Sequence, residues 1–161
     1  MLADILWLHH FFKMKTIIIA IFLIFYLSSN GQVHSYSKFI NEHSINKKQT
    51  VKTGDGKEDI IYLGKIKDKG GKNLFYILTI YSEVQAAIEI HGHSNVIYLG
   101  NNKVFKKQFE LGSPQDLPFK LENNNLYFNY LNSKTKKKEL YVNHVGKQIP
   151  KLLCVGPDDC Y

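Results

Sequence analysis

"SEVQAAIEIHGHSN", residues 82–95, is the stretch on which the fold turns. A helix template fits part of it. Ser82 can cap, Gln85 completes a capping box, Ala86 and Ala87 favour helix, and Gly92 is a natural stop. Helical spacing puts Val84, Ala87 and Ile88 on one face but leaves Ile90 off it. A strand template does better over residues 84–90. It places Val84, Ala86, Ile88 and Ile90 on one side and Gln85, Ala87 and Glu89 on the other. The strand is preferred; a helix over 82–92 is the alternative and would make the fold α+β.

The preference agrees with the flanks. Residues 59–67, 74–81, 95–100, 104–111, 119–122, 126–131 and 138–145 are short runs rich in β-branched and aromatic residues, separated by turn-forming clusters. "DKGGKN" and "NNN" are the clearest turns, since Gly and Asn tolerate positive φ. With 84–90 this makes about eight short strands. The spacing predicts an all-β antiparallel meander closing into a small barrel or sandwich. Residues 35–46 predict a short N-terminal helix, with Ser35 or Ser37 as cap and Phe39, Ile40 and Ile45 as its apolar face.

Further upstream the chain changes character. Residues 17–27 are an unbroken apolar run of eleven, Lys15 precedes it, and Ser29-Asn30-Gly31 follows with small residues. That pattern predicts a secretory signal starting at Met14 and cleaved after Gly31. Residues 1–13 then read as an upstream extension. The run is short of the roughly 20 apolar residues of a membrane span, so no stable anchor is expected after cleavage. The mature chain would be a single β-rich domain, residues 32–161, secreted or periplasmic.

Export bears on the two cysteines. Cys154 and Cys160 enclose "VGPDD", and in an oxidising compartment they predict a disulfide closing the C-terminal tail. The spacing lacks the tight C-x-x-C of redox sites.

The charge is basic but chemically narrow. The chain has 21 lysines and no arginine against 14 acids. Without arginine's bidentate fork, specific nucleic-acid reading is not expected. The dense run "KTKKK", residues 134–138, reads as a solvated hairpin loop.

"HGHS", residues 91–94, is the one motif that invites chemistry. On a strand Glu89, His91 and His93 share a face, and two such histidines can reach one zinc or copper ion. His144 is a remote fourth candidate. The pair resembles the H-x-H of cupins, but "SNVIYLG" supplies no downstream acid. "GHSNV" also resembles the G-x-S-x-G elbow of α/β-hydrolases. Val96 stands where glycine belongs, and strand-like sequence follows where a helix is needed. The reading preferred for HGHS is a bend between strands, with Gly92 making the turn.

Function is therefore expected to be binding, with no catalytic residue assigned. Ten tyrosines and ten phenylalanines supply the surface. Tyr98, Phe105, Tyr127 and Tyr130 are the candidate ligand-binding residues, for an apolar small molecule, a glycan or a secreted protein such as a hydrolase to be inhibited. The alternative is a metalloprotein or metalloenzyme holding zinc or copper through His91, His93, Glu89 and His144.

Overall fold

The computed structural model describes residues 33–54, 56–86, 89–132 and 134–161. The predicted leader lies outside them. The chain separates into two units, Met1–Tyr36 and Ser37–Tyr161, and every strand belongs to the second.

The protein is mostly β, in two antiparallel sheets. The first contains β1 (Lys48–Lys52), β2 (Gly56–Lys67), β3 (Asn73–Ala86), β4 (Glu89–Gly100) and β5 (Phe105–Leu111), in that spatial order. The second contains β6 (Lys120–Glu122), β7 (Asn125–Leu131) and β8 (Lys138–His144), also in chain order. Each sheet is a plain meander, as short turn-linked strands favour. Neither sheet closes on itself, so the barrel expected from the spacing does not form. β1 and β5 remain edges.

The described residues of 82–92 are strand, not helix. β3 runs unbroken through residues 74–81 and on to Ala86, and β4 starts at Glu89. The ladder pairs Ala86 with Glu89 and continues to Phe75 with Gly100. One expected strand, 84–90, is therefore the two arms of a hairpin. The reversal falls where the sequence has no Gly, Pro, Asn or Asp to announce it. The expected N-terminal helix is instead two 3-10 segments, Val33–Phe39 and Glu42–Ser44. Between them Asn41 is extended and its side chain accepts from the His43 N–H. That local bond competes with helix continuation. β1 was not foreseen, because "KQTVK" has only one apolar residue. An edge strand needs no more than that.

Elsewhere the turn chemistry is as read. Asn123 and Asn124 take φ of 50° and 62° in the two-residue β6–β7 turn, the pairing of positive angles a type I′ hairpin requires. Asp68 accepts from the N–H groups of Gly70 and Lys72 in the β2–β3 turn. Gly64 at φ 134° sits at a register shift in β2, a β-bulge that glycine alone accommodates cheaply.

One core joins the sheets. Ile66, Ile77, Val96, Tyr98 and Phe109 of the first sheet pack with Leu126 and Phe128 of the second. Val145, Leu153 and Val155 complete it from the C-terminal segment. Cys154 and Cys160 are disulfide-bonded, and the tail they close is part of the core. Leu153 and Tyr161 exchange backbone hydrogen bonds, and Asn143 donates to the Cys154 carbonyl.

Candidate functional site

β4 changes environment half way along. Residues 89–93 are exposed, and Ser94 to Gly100 are buried without a break. β5 accounts for part of this, since it pairs with β4 only from Ser94 onward. The β3–β4 hairpin thus projects beyond the core, with β1 and the start of β2 beside it.

On one face of this projection lies a groove of about 760 Å³, lined by Thr50, Lys52, Lys57, Glu83, Gln85 and Ile90 among others. The register explains the grouping. Lys57 is opposite Glu83, and Gln85 is opposite Ile90, so their side chains rise on the same side. Two residues earlier at each step this side becomes the core face, through Tyr81, Thr79 and Ile77. The groove is the core face continued past its cover. Ile90 is 69 % exposed there.

Polar pairs organise the groove. Lys57 Nζ is 3.1 Å from Glu83 Oε2, and this carboxylate raises the lysine's pKa. Thr50 Oγ1 donates to Asp59 at 2.6 Å, and Lys48 Nζ lies 3.1 Å away. The Thr50 bond, more than the Lys48 charge, holds Asp59 below the usual carboxylate range, against the opposing effect of burial. Gly56 is glycine because a Cβ there would collide with the Glu83 carbonyl. The side chains supply hydrogen bonds, both charges and one aliphatic contact.

HGHS lies inside a strand, not at a bend. Gly92 earns its place differently. A Cβ there would stand 2.8 Å from the Tyr81 hydroxyl and 3.0 Å from the ring. The tyrosine leans across the bare backbone, an aromatic covering a strand glycine. Glu89, His91 and His93 occupy the opposite face, as alternation requires. His91 Nε2 is 3.9 Å from Glu89 Oε2, whereas His93 Nδ1 is 2.9 Å from Glu110 Oε1 on β5. His144 sits on the other sheet, bonded to Asn125 at 2.9 Å. Among the described residues no three His, Cys, Asp or Glu side chains are grouped to hold a metal ion.

The four aromatic candidates are not brought together. Tyr98 is fully buried, edge-on to Phe75 and Phe109 with centroids at 6.2 and 5.6 Å. Its hydroxyl has no hydrogen-bond partner, and burial pushes its pKa far up. Phe105 is half-buried at the start of β5. Tyr127 and Tyr130 point to opposite faces of β7. Tyr127 lies under Lys120 Nζ, 5.5 Å from the ring centre, and beside Phe119. Tyr130 donates to Glu139 at 2.7 Å, a bond that raises the phenol and lowers the carboxyl. The groove residues Thr50, Lys52, Gln85 and Ile90 escaped the sequence reading. Nothing marks them in a linear chain; only pairing across four strands assembles them.

Among the described residues no helix is long and apolar enough to cross a membrane. No protein-family model matches the chain, and neither a curated protein nor a solved structure matches it.

Proposed function

We propose that this chain is a non-catalytic binding domain, exported to the extracellular space or the periplasm, that uses the groove at the projecting end of its first sheet. The two sheets are read as a small, lopsided sandwich, the five-stranded layer overhanging the three-stranded one. The disulfide fits an oxidising compartment, and the apolar run at 17–27 fits an export signal. The observation that carries the reading is the exposure of Ile90 among hydrogen-bonding side chains on a continuation of the core face. An exposed aliphatic ringed by polar groups is the usual anatomy of a contact surface. A glycan, a small molecule or a secreted protein, including a hydrolase held inactive, are the ligand classes it suits.

The test uses the exported chain, immobilised and exposed to the fluid into which it is released. Material retained by the wild type and reduced at least about tenfold by Ile90→Asp supports the groove, tenfold being about 1.4 kcal/mol. Equal retention by both places binding elsewhere.

A further inference from the structure

Ser94 to Gly100 are buried without a break, so β4 is covered on both faces there. The inner face is accounted for. Ile77, Val96, Tyr98 and Phe109 pack with the second sheet and the C-terminal segment. The outer face is a different set, fixed by register. Ile60 stands opposite Ile80, Tyr62 opposite Leu78, Leu78 opposite Ile97, and Tyr76 opposite Leu99. Ile60, Tyr62, Leu78, Ile80, Ile97 and Leu99 are each no more than 2 % exposed, and none belongs to the core that joins the sheets. Two layers alone would leave this face to water. It is instead a dry apolar patch three strands wide, edged by polar pairs: Glu42 with Lys65 at 2.7 Å and Asn95 with Gln108 at 2.8 Å.

The described residues near the patch do not account for its dryness. Residues 101–104, in the β4–β5 turn at one end, are all exposed. From Tyr36 to Asn46 the chain leads up to the edge of β2, where the Asn46 N–H donates to the Tyr62 carbonyl. Over that stretch only Phe39 is buried. One ring cannot exclude water from six side chains on three strands. Two orphaned polar atoms give the chemistry of the cover. The Tyr62 hydroxyl and Gln49 Nε2, the latter on the residue opposite Ile60, are buried with no hydrogen-bond partner. Polar chain or water over the patch would satisfy them, so what lies on it is apolar.

We propose that residues 17–27 are that cover, packed on the outer face of the first sheet as a third layer and kept with the folded chain. The run is eleven apolar residues without a charge, matched to a patch whose centre carries none. It is tethered within reach. Only residues 28–32 separate it from Val33, and five extended residues span about 17 Å. From Val33 the chain arrives at the β2 edge of the same face by Asn46. The layer sets aside the expected cut after Gly31, which would bare six large apolar side chains in one patch, a surface that soluble monomers avoid. Export itself is left untouched. The groove lies on the opposite face of the sheet, so either assignment can fail alone.

The experiment is photocross-linking in the full chain, with a diazirine residue introduced at Leu78 or at Leu99 and the products mapped by mass spectrometry. Both positions are expected to link to residues 17–27 of the same chain. This reads the contact directly, whether or not a shortened chain folds. A second measurement compares the full chain with chains starting at Met14 and at Gln32, using a dye that brightens on exposed apolar surface. The first two are expected to bind equally little. The third is expected to bind at least about tenfold more, or to fail to fold. Cross-links that fall only outside residues 17–27, or none at all, would overturn the proposal. So would a folded chain from Gln32 that binds no more dye than the full one, or a chain from Met14 that binds as much as the shortest.

Discussion

The two halves of β4 share one strand and one hydrogen-bonding neighbour, β3, yet differ in what their side chains do. From Ser94 onward the strand is clamped between β3 and β5 and its residues are buried. From Glu89 to His93 only β3 accompanies it, and every residue is exposed. The β3 ladder runs through both halves without a register shift, so pairing with β3 does not set the difference. Side-chain burial does: one half holds the core together, and the other carries the exposed face to which binding is proposed.

The comparison breaks most visibly at Tyr98 and Ile90. Tyr98→Ala removes a ring wedged between Phe75 and Phe109. It is expected to cost about 3–5 kcal/mol, in line with other large aromatic truncations. Ile90→Ala, on the same strand, is expected to change stability by less than about 0.5 kcal/mol, because little surface is lost from water-free contact. Chemical denaturation of both variants measures the ratio. Tyr98→Phe sharpens it. The variant keeps the ring and discards a hydroxyl that has no partner, so it should stay within about 1 kcal/mol of wild type.

At the border between the halves stands Gly92. Gly92→Ala is expected to cost about 1–2 kcal/mol by pressing a methyl group into Tyr81. Adding Tyr81→Ala to that variant should cancel most of the interaction energy in a double-mutant cycle. A neutral Gly92→Ala would show that the ring is free to move aside.

The smallest effect is expected at the histidines. His91 and His93 are about half exposed, and their carboxylate partners are more exposed still. Surface pairs of this kind contribute little. The double variant His91→Ala/His93→Ala is expected to unfold within about 0.5 kcal/mol of wild type. Its calorimetric titration with zinc or copper(II) is expected to match the wild type's. Tight one-to-one metal binding, lost in the variant, would reverse the ranking of the two faces of β4.

How much of this was legible in the chain differs by element. β-rich composition, the Asn123-Asn124 turn and the Cys154–Cys160 bridge could be read directly, because each depends on residues close in sequence. The β3–β4 reversal could not, since it has no turn residue of its own and a misleading glycine stands four positions beyond it. Gly92 resembled a bend only while residues 74–81 and 84–90 were read as two separate strands; with Ala86 paired to Glu89, Gly92 lies inside β4 beside Tyr81 of β3. The aromatic candidates failed to gather for a related reason. Period-two alternation says which residues share a face, but not which face is covered, and Tyr98 proved to be core.

By itself the sequence determined local preference: extended chain, turn chemistry, a tail short enough to bridge, and an apolar leader pattern at 17–27. The tertiary structure alone decided that the strands make two open sheets and that Ile90, Gln85, Lys57 and Thr50 meet. The physical reason is range. Propensity and turns act over a few residues, whereas a face becomes core or surface only when other parts of the chain do or do not lie against it.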